Sequence, residues 1–183
     1  MRRAVIEDTE ELVKFGEDCF GKPYIFEDEM RGFISDDNNR LFVEEDEGRI
    51  IGATLFLNDD KETIMEDMEV TGEDFDRLTA GRPVLHHKFC IVRDDCRGKG
   101  VMTKMLEESF SQLEKEGIYG AVFAQAWIKK GDIPIEGILK NMGYTTYKRQ
   151  ISPWYKFSDR VCSVCGGRCK CDAMVYYREF KPV

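Results

Sequence analysis

The chain has 183 residues, of which 42% are hydrophobic and 34% charged, with 5 Pro and 16 Gly. This composition predicts a globular protein of about one domain, since domains typically span ~100–200 residues, and it excludes collagen-like and wholly disordered classes. Its net charge of -8 argues against a domain held to nucleic acid by its overall field. No apolar run reaches the ~18 residues of a membrane span, and the first eight residues turn acidic before a signal-peptide core forms. We therefore expect a cytoplasmic protein with no membrane role.

Negative charge is concentrated in residues 44–76, where 13 acidic residues face only two basic ones. Such a segment is typical of a solvated flank that aids solubility, and it can also attract a cationic substrate. Within it, the charged stretch 58–82 (the acidic insert) carries scattered apolar residues and predicts a helical turn or two between strands. The sequence leaves the oligomeric state open, with a homodimer among the alternatives.

Apolar spacing along the chain predicts alternating helices and strands. The clearest helix follows Gly100 and ends at Gly117; its apolar stripe comprises Val101, Met102, Met105, Leu106, Phe110 and Leu113. The other predicted helices cover residues 8–19, 26–34 and 134–141. The predicted strands cover residues 3–6, 41–43, 50–57, 84–92, 120–127, 144–151 and 173–177.

Four of the seven cysteines form a C-x2-C-x3-C-x-C array: Cys162, Cys165, Cys169 and Cys171. An odd cysteine count without a secretory signal argues against a disulfide framework, and free thiols are suited to binding metal. Four thiolates would fill a tetrahedral zinc shell and leave no open position for water, so we predict structural Zn²⁺. An iron–sulfur cluster and redox-sensing thiols are the alternatives. Of the isolated cysteines, Cys19 and Cys90 are expected to be buried.

A glycine loop separates the strand at residues 84–92 from the clearest helix, with the sequence Arg97-Gly98-Lys99-Gly100-Val101-Met102. Backbone N–H groups of such a loop and the positive end of the helix dipole favour an anion such as pyrophosphate. No Walker P-loop and no G-x-G-x-x-G motif is present. The loop alone is a weak signal, and its position between strand and helix makes it stronger.

The loop and the order of elements resemble the GNAT superfamily, the Gcn5-related N-acetyltransferases, over residues 1–151. The resemblance implies an α/β (α+β) fold with a mixed, largely antiparallel central sheet flanked by helices. It also implies acetyl-CoA as cosubstrate, with the pyrophosphate held by the loop and the pantetheine arm paired with the strand; the implied cofactor residues are Ile91, Val92, Arg97, Gly98, Lys99, Gly100, Val101 and Met102. Residues 152–183 then add the four-cysteine insertion and a last strand that completes the same domain.

Acetyl transfer to an amine needs a base for the ammonium proton. His86 is the candidate, because imidazole titrates near neutrality and many relatives carry Glu or His at this place. Strict alternation puts His86 on the same strand face as Lys88, Cys90 and Val92, whereas His87 points the other way and is expected to be packed or superficial. Where many relatives have a Tyr acid, this chain has Leu139; the replacements considered are water and two tyrosines, Tyr147 and Tyr155.

The resulting prediction is an N-acetyltransferase (EC 2.3.1.-) that moves an acetyl group from acetyl-CoA to a primary amine on a small molecule, polyamine or protein. If the acidic insert borders the acceptor cleft, it favours a cationic amine. The cysteine array either forms a wall of that cleft or only staples the C-terminal hairpin. The alternative is a non-catalytic GNAT-fold module that docks a protein or nucleic acid through its cysteine loop and basic C-terminal region.

Overall fold

A computed structural model describes residues 1–181 as one mixed sheet with helices on both faces. The helices are α1 Thr9–Phe20, α2 Glu27–Ser35, α3 Lys61–Met68, α4 Gly72–Thr79, α5 Val101–Glu116 and α6 Glu136–Asn141. The strands are β1 Arg2–Arg3, β2 Arg40–Asp46, β3 Arg49–Leu57, β4 Val84–Val92, β5 Ala121–Trp127, β6 Thr145–Gln150 and β7 Ala173–Glu179.

The seven strands lie in the order β1-β2-β3-β4-β5-β7-β6, and every neighbouring pair is antiparallel except β4 and β5. The predicted fold class, a largely antiparallel mixed sheet flanked by helices, is therefore confirmed. β7 lies between β5 and β6, so residues 173–179 are an internal part of the sheet. The predicted C-terminal segment, 152–183, runs two residues beyond those described.

Apolar side chains pack the helices against the two opposite faces of the sheet. Leu12, Phe15 and Met30 of α1 and α2 pack with Leu55 and Ile91 on one face. On the other face, the predicted stripe of α5 packs on β3 and β5, with members that include Leu106, Phe110, Phe56 and Val122. Burial of this kind stabilises by about 25 cal/mol per Å² of apolar surface, so both faces are held mainly by hydrophobic contact. Within residues 1–181, no helix is both long and apolar enough to span a membrane.

Several elements differ from the predictions, and three of the differences have a visible cause or bear on the site. β1 is only two residues long, because the Asp8 carboxylate accepts the Val5 N–H and the chain turns into a short 3₁₀ segment. The acidic insert forms two complete helices, whose N-termini are capped by the Asp60 and Thr71 side chains. α6 begins two residues after Pro134.

β4 contains a bulge at Lys88. Leu55 of β3 pairs with Phe89, and the next residue, Phe56, pairs with His87, which leaves Lys88 without a partner of its own on β3. An extra residue of this kind reverses the alternation of side chains along a strand. The bulge therefore decides which face each candidate side chain occupies.

Because of this bulge, the prediction of the sheet face on which His86 lies is wrong. His86 pairs with Leu57, whose side chain packs in the cluster under α1 and α2 together with Phe89 and Ile91. Cys90 instead packs against the α5 cluster on the opposite face. His86 thus faces α1 and α2 and does not share a face with Cys90.

β4 and β5 diverge after a short parallel stretch. They pair only from Val84 to His87 with Ala121 to Ala124, although β4 continues to Val92 and β5 to Trp127. Beyond this point the facing backbone edges are open. Alternate N–H and C=O groups of a strand point to each side, so these edges offer main-chain hydrogen bonds to a bound molecule.

Candidate active site

A cavity of about 750 Å³ fills the opening between β4 and β5. One end is formed by the glycine loop and the start of α5. The other end is formed by the linker between α1 and α2 (residues 21–26, the α1–α2 linker) and by residues 161–172, the cysteine loop. Ligand sites are usually single concave cavities of roughly this size, ~300–1,000 Å³. The cavity therefore joins the two regions that the sequence singled out.

The glycine loop adopts a backbone that only glycine accommodates without strain. Gly98 and Gly100 have φ of 74° and 78°, and Gly100 is the N-cap of α5. The first N–H groups of α5 have no intrahelical acceptors, so they face whatever occupies this end. The Arg97 guanidinium is held by Asp94 at 2.7 Å and donates to the Val92 carbonyl at 3.3 Å.

Seven of the eight residues assigned to the cofactor line the cavity: Ile91, Val92, Arg97, Gly98, Gly100, Val101 and Met102. Lys99, the eighth, is exposed and does not line it. Met102 packs beside Val92 and Cys96, so its larger side chain is accommodated in an apolar cluster next to the loop.

His86 lines the cavity and is only 3% exposed. Its Nδ1 lies 2.9 Å from a carboxylate oxygen of Asp59. Burial lowers the pKa of His86 below 6.5, and the Asp59 carboxylate opposes this shift. When Nδ1–H donates to Asp59, Nε2 carries the free lone pair, which is the arrangement of a base oriented by an acid.

Asp59 was not recognised in the sequence as a site residue. It follows β3 by two positions and meets His86 because Leu57, the last residue of β3, pairs with His86. Only the register of the two strands reveals this contact.

His87 is packed, as predicted. Its ring stacks on Phe56, its Nε2 lies 3.0 Å from the Thr54 hydroxyl and its Nδ1 lies 2.9 Å from the Tyr144 hydroxyl. Desolvation, with a smaller contribution from His86, lowers the pKa of His87 to about 3. The ring is therefore neutral at physiological pH and takes a structural role.

This burial makes stability depend on pH. The unfolded chain binds a proton at His87 below about pH 6.5, whereas the folded chain resists it down to about pH 3, so the free energy of unfolding falls as the pH drops through that window. One such group contributes a slope of up to about 1.4 kcal/mol per pH unit. We expect His87→Asn to flatten the curve between pH 4 and 6.5 in urea titrations. Equal slopes for the variant and the parent would contradict this assignment.

Neither of the tyrosines considered as general acid lines the cavity. The Tyr147 hydroxyl donates to Asp74 at 2.8 Å, and Tyr155 is 44% exposed beneath Arg168. Leu139, at the position where the resemblance implies a tyrosine, does line the cavity. Tyr24 of the α1–α2 linker is the tyrosine that reaches it, and burial raises the pKa of its hydroxyl.

The four cysteines of the array come together. Their sulfur atoms all lie within 4.8 Å of one another, and Cys165 and Cys171 are 3.5 Å apart. Four sulfurs around zinc at ~2.3 Å would be about 3.8 Å apart, so the cluster fits tetrahedral coordination. The Lys170 N–H donates to Cys165 and lowers its pKa. The buried indole N–H of Trp127 has no well-aligned acceptor and lies near Cys171, where a metal-bound thiolate would accept it.

The cysteine loop is attached to the end of α1 and the α1–α2 linker. The Val161 N–H donates to the Lys22 carbonyl and the Ser163 N–H donates to the Phe20 carbonyl, both at 3.0 Å. Gly21 lies between them, and a Cβ there would be 2.0 Å from the Val161 carbonyl oxygen. Cys162 and Cys169 line the cavity directly. The loop is therefore a wall of the cavity as well as a connection between β6 and β7.

The isolated cysteines differ from expectation. Cys19 and Cys90, predicted to be buried, are partly exposed because both line the cavity. Cys96 is the buried one, packed beneath the glycine loop with Ile51 and Val92.

A family model described as "Acetyltransferase (GNAT) family" matches residues 7–135, more than half of the chain. The chain belongs to the GNAT acetyltransferase family. This assignment agrees with the glycine loop at the start of α5 and with the order of the elements, on which the resemblance rested. No curated protein matches the sequence.

Solved structures similar to this chain are GNAT acetyltransferases of low sequence identity. An N-acetyltransferase from Staphylococcus aureus Mu50 has a TM-score of 0.69 at 16% identity, covering 98% of this chain and 97% of that one. Arabidopsis thaliana NAA60, in complex with a bisubstrate analogue, has a TM-score of 0.71 at 12% identity, covering 100% and 98%. The NatC complex bound to Gag peptide and CoA contains a chain with a TM-score of 0.66 at 13% identity, covering 98% and 97%. At sequence identities this low, the similarity shows a shared fold and nothing further.

Proposed function

We propose that this chain is an N-acetyltransferase that moves an acetyl group from acetyl-CoA to a primary amine. The observation that carries the proposal is one cavity that joins a helix N-terminus suited to pyrophosphate with a buried histidine held by a carboxylate. The open edges of β4 and β5 are suited to the pantetheine amides. The fold is also the one in which the NatC structure binds CoA.

In the proposed reaction the amine nitrogen attacks the thioester carbonyl. A C–N bond forms, the C–S bond breaks, and the CoA thiolate leaves and takes up a proton. Only the neutral amine is a nucleophile, so Nε2 of His86 accepts the proton that the ammonium group must lose. Asp59 is a positioning residue, because it holds the imidazole through Nδ1.

We propose zinc as the metal of the four-cysteine cluster. Support comes from the all-thiolate ligand set, the sulfur separations and the indole N–H near Cys171. A closed four-sulfur shell leaves no coordination position for substrate, so the metal would shape the cavity wall and take no part in the chemistry.

The test is thioester consumption, measured as thiol release from acetyl-CoA in the presence of a panel of primary amines. Turnover with at least one amine, and N-acetylated product by mass spectrometry, would support the proposal. Micromolar 1:1 binding of acetyl-CoA in calorimetry without turnover would instead favour a docking module, for which the missing tyrosine at Leu139 is the specific argument. No binding of acetyl-CoA would contradict both the cofactor assignment and the reaction.

Gly100→Val tests the glycine loop. A β-branched side chain is strained at φ 78° and would intrude on an anion at the start of α5. We expect acetyl-CoA affinity to fall by about ten- to a hundredfold, the loss of one or more hydrogen bonds to a charged group. Gly48→Val is the matched control, because Gly48 has φ 76° and open surroundings in the exposed β2–β3 turn, which does not line the cavity. Equal acetyl-CoA affinity in the two variants would show that the glycine loop is not part of the cofactor site.

A further inference from the structure

Every Lys, Arg, Asp or Glu side chain that lines the cavity is cationic. Within the described part of the chain these residues are Lys88, Arg97, Lys129 and Arg160, with no Asp or Glu among the lining residues. The acidic insert therefore contributes no carboxylate to the wall, although its sequence favoured a cationic acceptor. A partly enclosed cleft with one sign of charge concentrates ligands of the opposite sign.

Among the described residues, Lys88 is the partly buried lining cation without a carboxylate partner, whereas Lys129, which also has none, is exposed and lies over the Trp127 ring. Arg97 is paired with Asp94 in the glycine loop, Arg160 is paired with Glu29, and Lys129 extends from the exposed chain after β5. Within residues 1–181, the carboxylates that influence the Lys88 ammonium group, Asp67, Asp59 and Glu29, act on it across space and not through a hydrogen bond. Its ammonium group is therefore free to pair with a ligand.

The carboxylates that act on Lys88 across space are each engaged by another base. They form the pairs Asp59–His86, Asp67–Lys156 and Glu29–Arg160. Desolvation lowers the pKa of Lys88, which means that its charge is poorly compensated in the folded protein. An anion entering the cavity would supply the missing compensation.

Lys88 lies close to the histidine that is proposed to deprotonate the acceptor amine. It occupies the β4 bulge, two residues from His86, and both side chains line the same cavity. The end of the cavity next to the α1–α2 linker and the cysteine loop is aromatic; the residues concerned are Phe20, Tyr24, Trp127, Trp154 and Phe157. A single molecule bound in this cavity could therefore contact the base His86, the cation Lys88 and the aromatic residues.

Accepting the proposed acetyl transfer, on which this step rests, we propose that the acceptor is an α-amino acid or close analogue with an apolar side chain. Its carboxylate pairs with Lys88, its amine faces His86, and its side chain packs on the aromatic end. The charge on Lys88 then selects against amines that lack an adjacent anion.

Matched pairs of acceptors test this directly: L-phenylalanine against phenethylamine, L-tryptophan against tryptamine, and L-leucine against 3-methylbutylamine. We expect kcat/KM to be at least about tenfold higher for each amino acid, the usual effect of one charge-assisted hydrogen bond. Lys88→Met should remove most of this preference by raising the KM of the amino acids, with little change for the amines. Lys115→Met, on the exposed side of α5, is the control and should leave both unchanged.

Three kinetic results would overturn the inference while leaving acetyl transfer intact. These are equal kcat/KM within the pairs, a preference for polyamines, and an equal loss of kcat for both members of a pair in Lys88→Met, which would place Lys88 at the thioester. Absence of turnover with any amine would count against the proposed function itself. Calorimetry of L-phenylalanine with the CoA-bound protein separates binding from catalysis, and absent heat for every amino acid would also overturn the inference.

Discussion

Replacement of His86 by alanine is expected to lower kcat/KM for amine acetylation by about 10²–10⁴, the usual contribution of a general base. The reason is that, in the described part of the cavity, His86 is the only imidazole paired with a carboxylate, through Nδ1 and Asp59, which leaves Nε2 as the proton acceptor. His86→Gln keeps a hydrogen bond to Asp59 without a titrating ring and should lose as much activity. Steady-state rates with a reactive amine measure the effect.

The pH profile distinguishes a base from a structural histidine. In the parent, kcat/KM should rise with pH through a pKa below 6.5, because burial lowers the pKa of His86. Asp59→Asn removes the influence that raises this pKa, so the acid limb should move to lower pH. The His86 variants should lack the limb and gain rate as the amine itself deprotonates. If His86→Ala reacts at the parent rate, with an unchanged melting temperature and an unchanged acetyl-CoA affinity, His86 is not the base.

Loss of the proposed zinc is expected to impair the acceptor side of the cavity selectively. Cys162 and Cys169 line the cavity, and the loop that carries them is bonded to the end of α1 and the α1–α2 linker. Without a metal to close the loop, this wall loses its fixed geometry. We expect Cys169→Ser, or treatment with a strong chelator, to raise the acceptor KM by at least about tenfold and to lower the melting temperature. Acetyl-CoA affinity should stay within about twofold, because no backbone hydrogen bond among the described residues joins the cysteine loop to the glycine loop.

Metal analysis accompanies this experiment. One zinc per chain is expected in the parent and none in Cys169→Ser, whereas Ser163→Ala, within the same loop, should retain the metal and the parent KM. Iron with visible absorption would indicate a cluster, and four reactive thiols without metal would indicate a redox-sensing loop. An unchanged acceptor KM after complete zinc loss would restrict the loop to a structural staple.

Sequence patterns predicted the fold well where local signals are strong. The apolar stripe of α5 and the glycines at both of its ends gave its position, and β4 coincides with its predicted bounds. The cysteine array could be recognised because its ligands are close in the chain. The glycine loop was found for the same reason.

Contacts that depend on strand register were not predictable. The residue types on either side of Lys88, His87 and Phe89, fit a regular strand as well as a bulged one. Nothing in the local sequence therefore indicates the bulge that turns His86 toward α1 and α2. Asp59 was hidden in a run of acidic residues, and only the pairing of β3 with β4 gives it a role. The cationic lining also escaped notice, because the residues that form it are distributed from β4 to the segment before the cysteine loop.

The place of β7 between β5 and β6 bears on how the protein is synthesised. β6 pairs only with β7 among the described strands, and the cysteine loop lies between the two in the chain. A nascent chain that has emerged as far as Gln150 therefore holds β6 with no neighbour and β5 with one free edge. Such edges invite pairing with other chains. Binding of metal by the emerging cysteine loop would shorten this exposed interval by bringing β7 back beside β6.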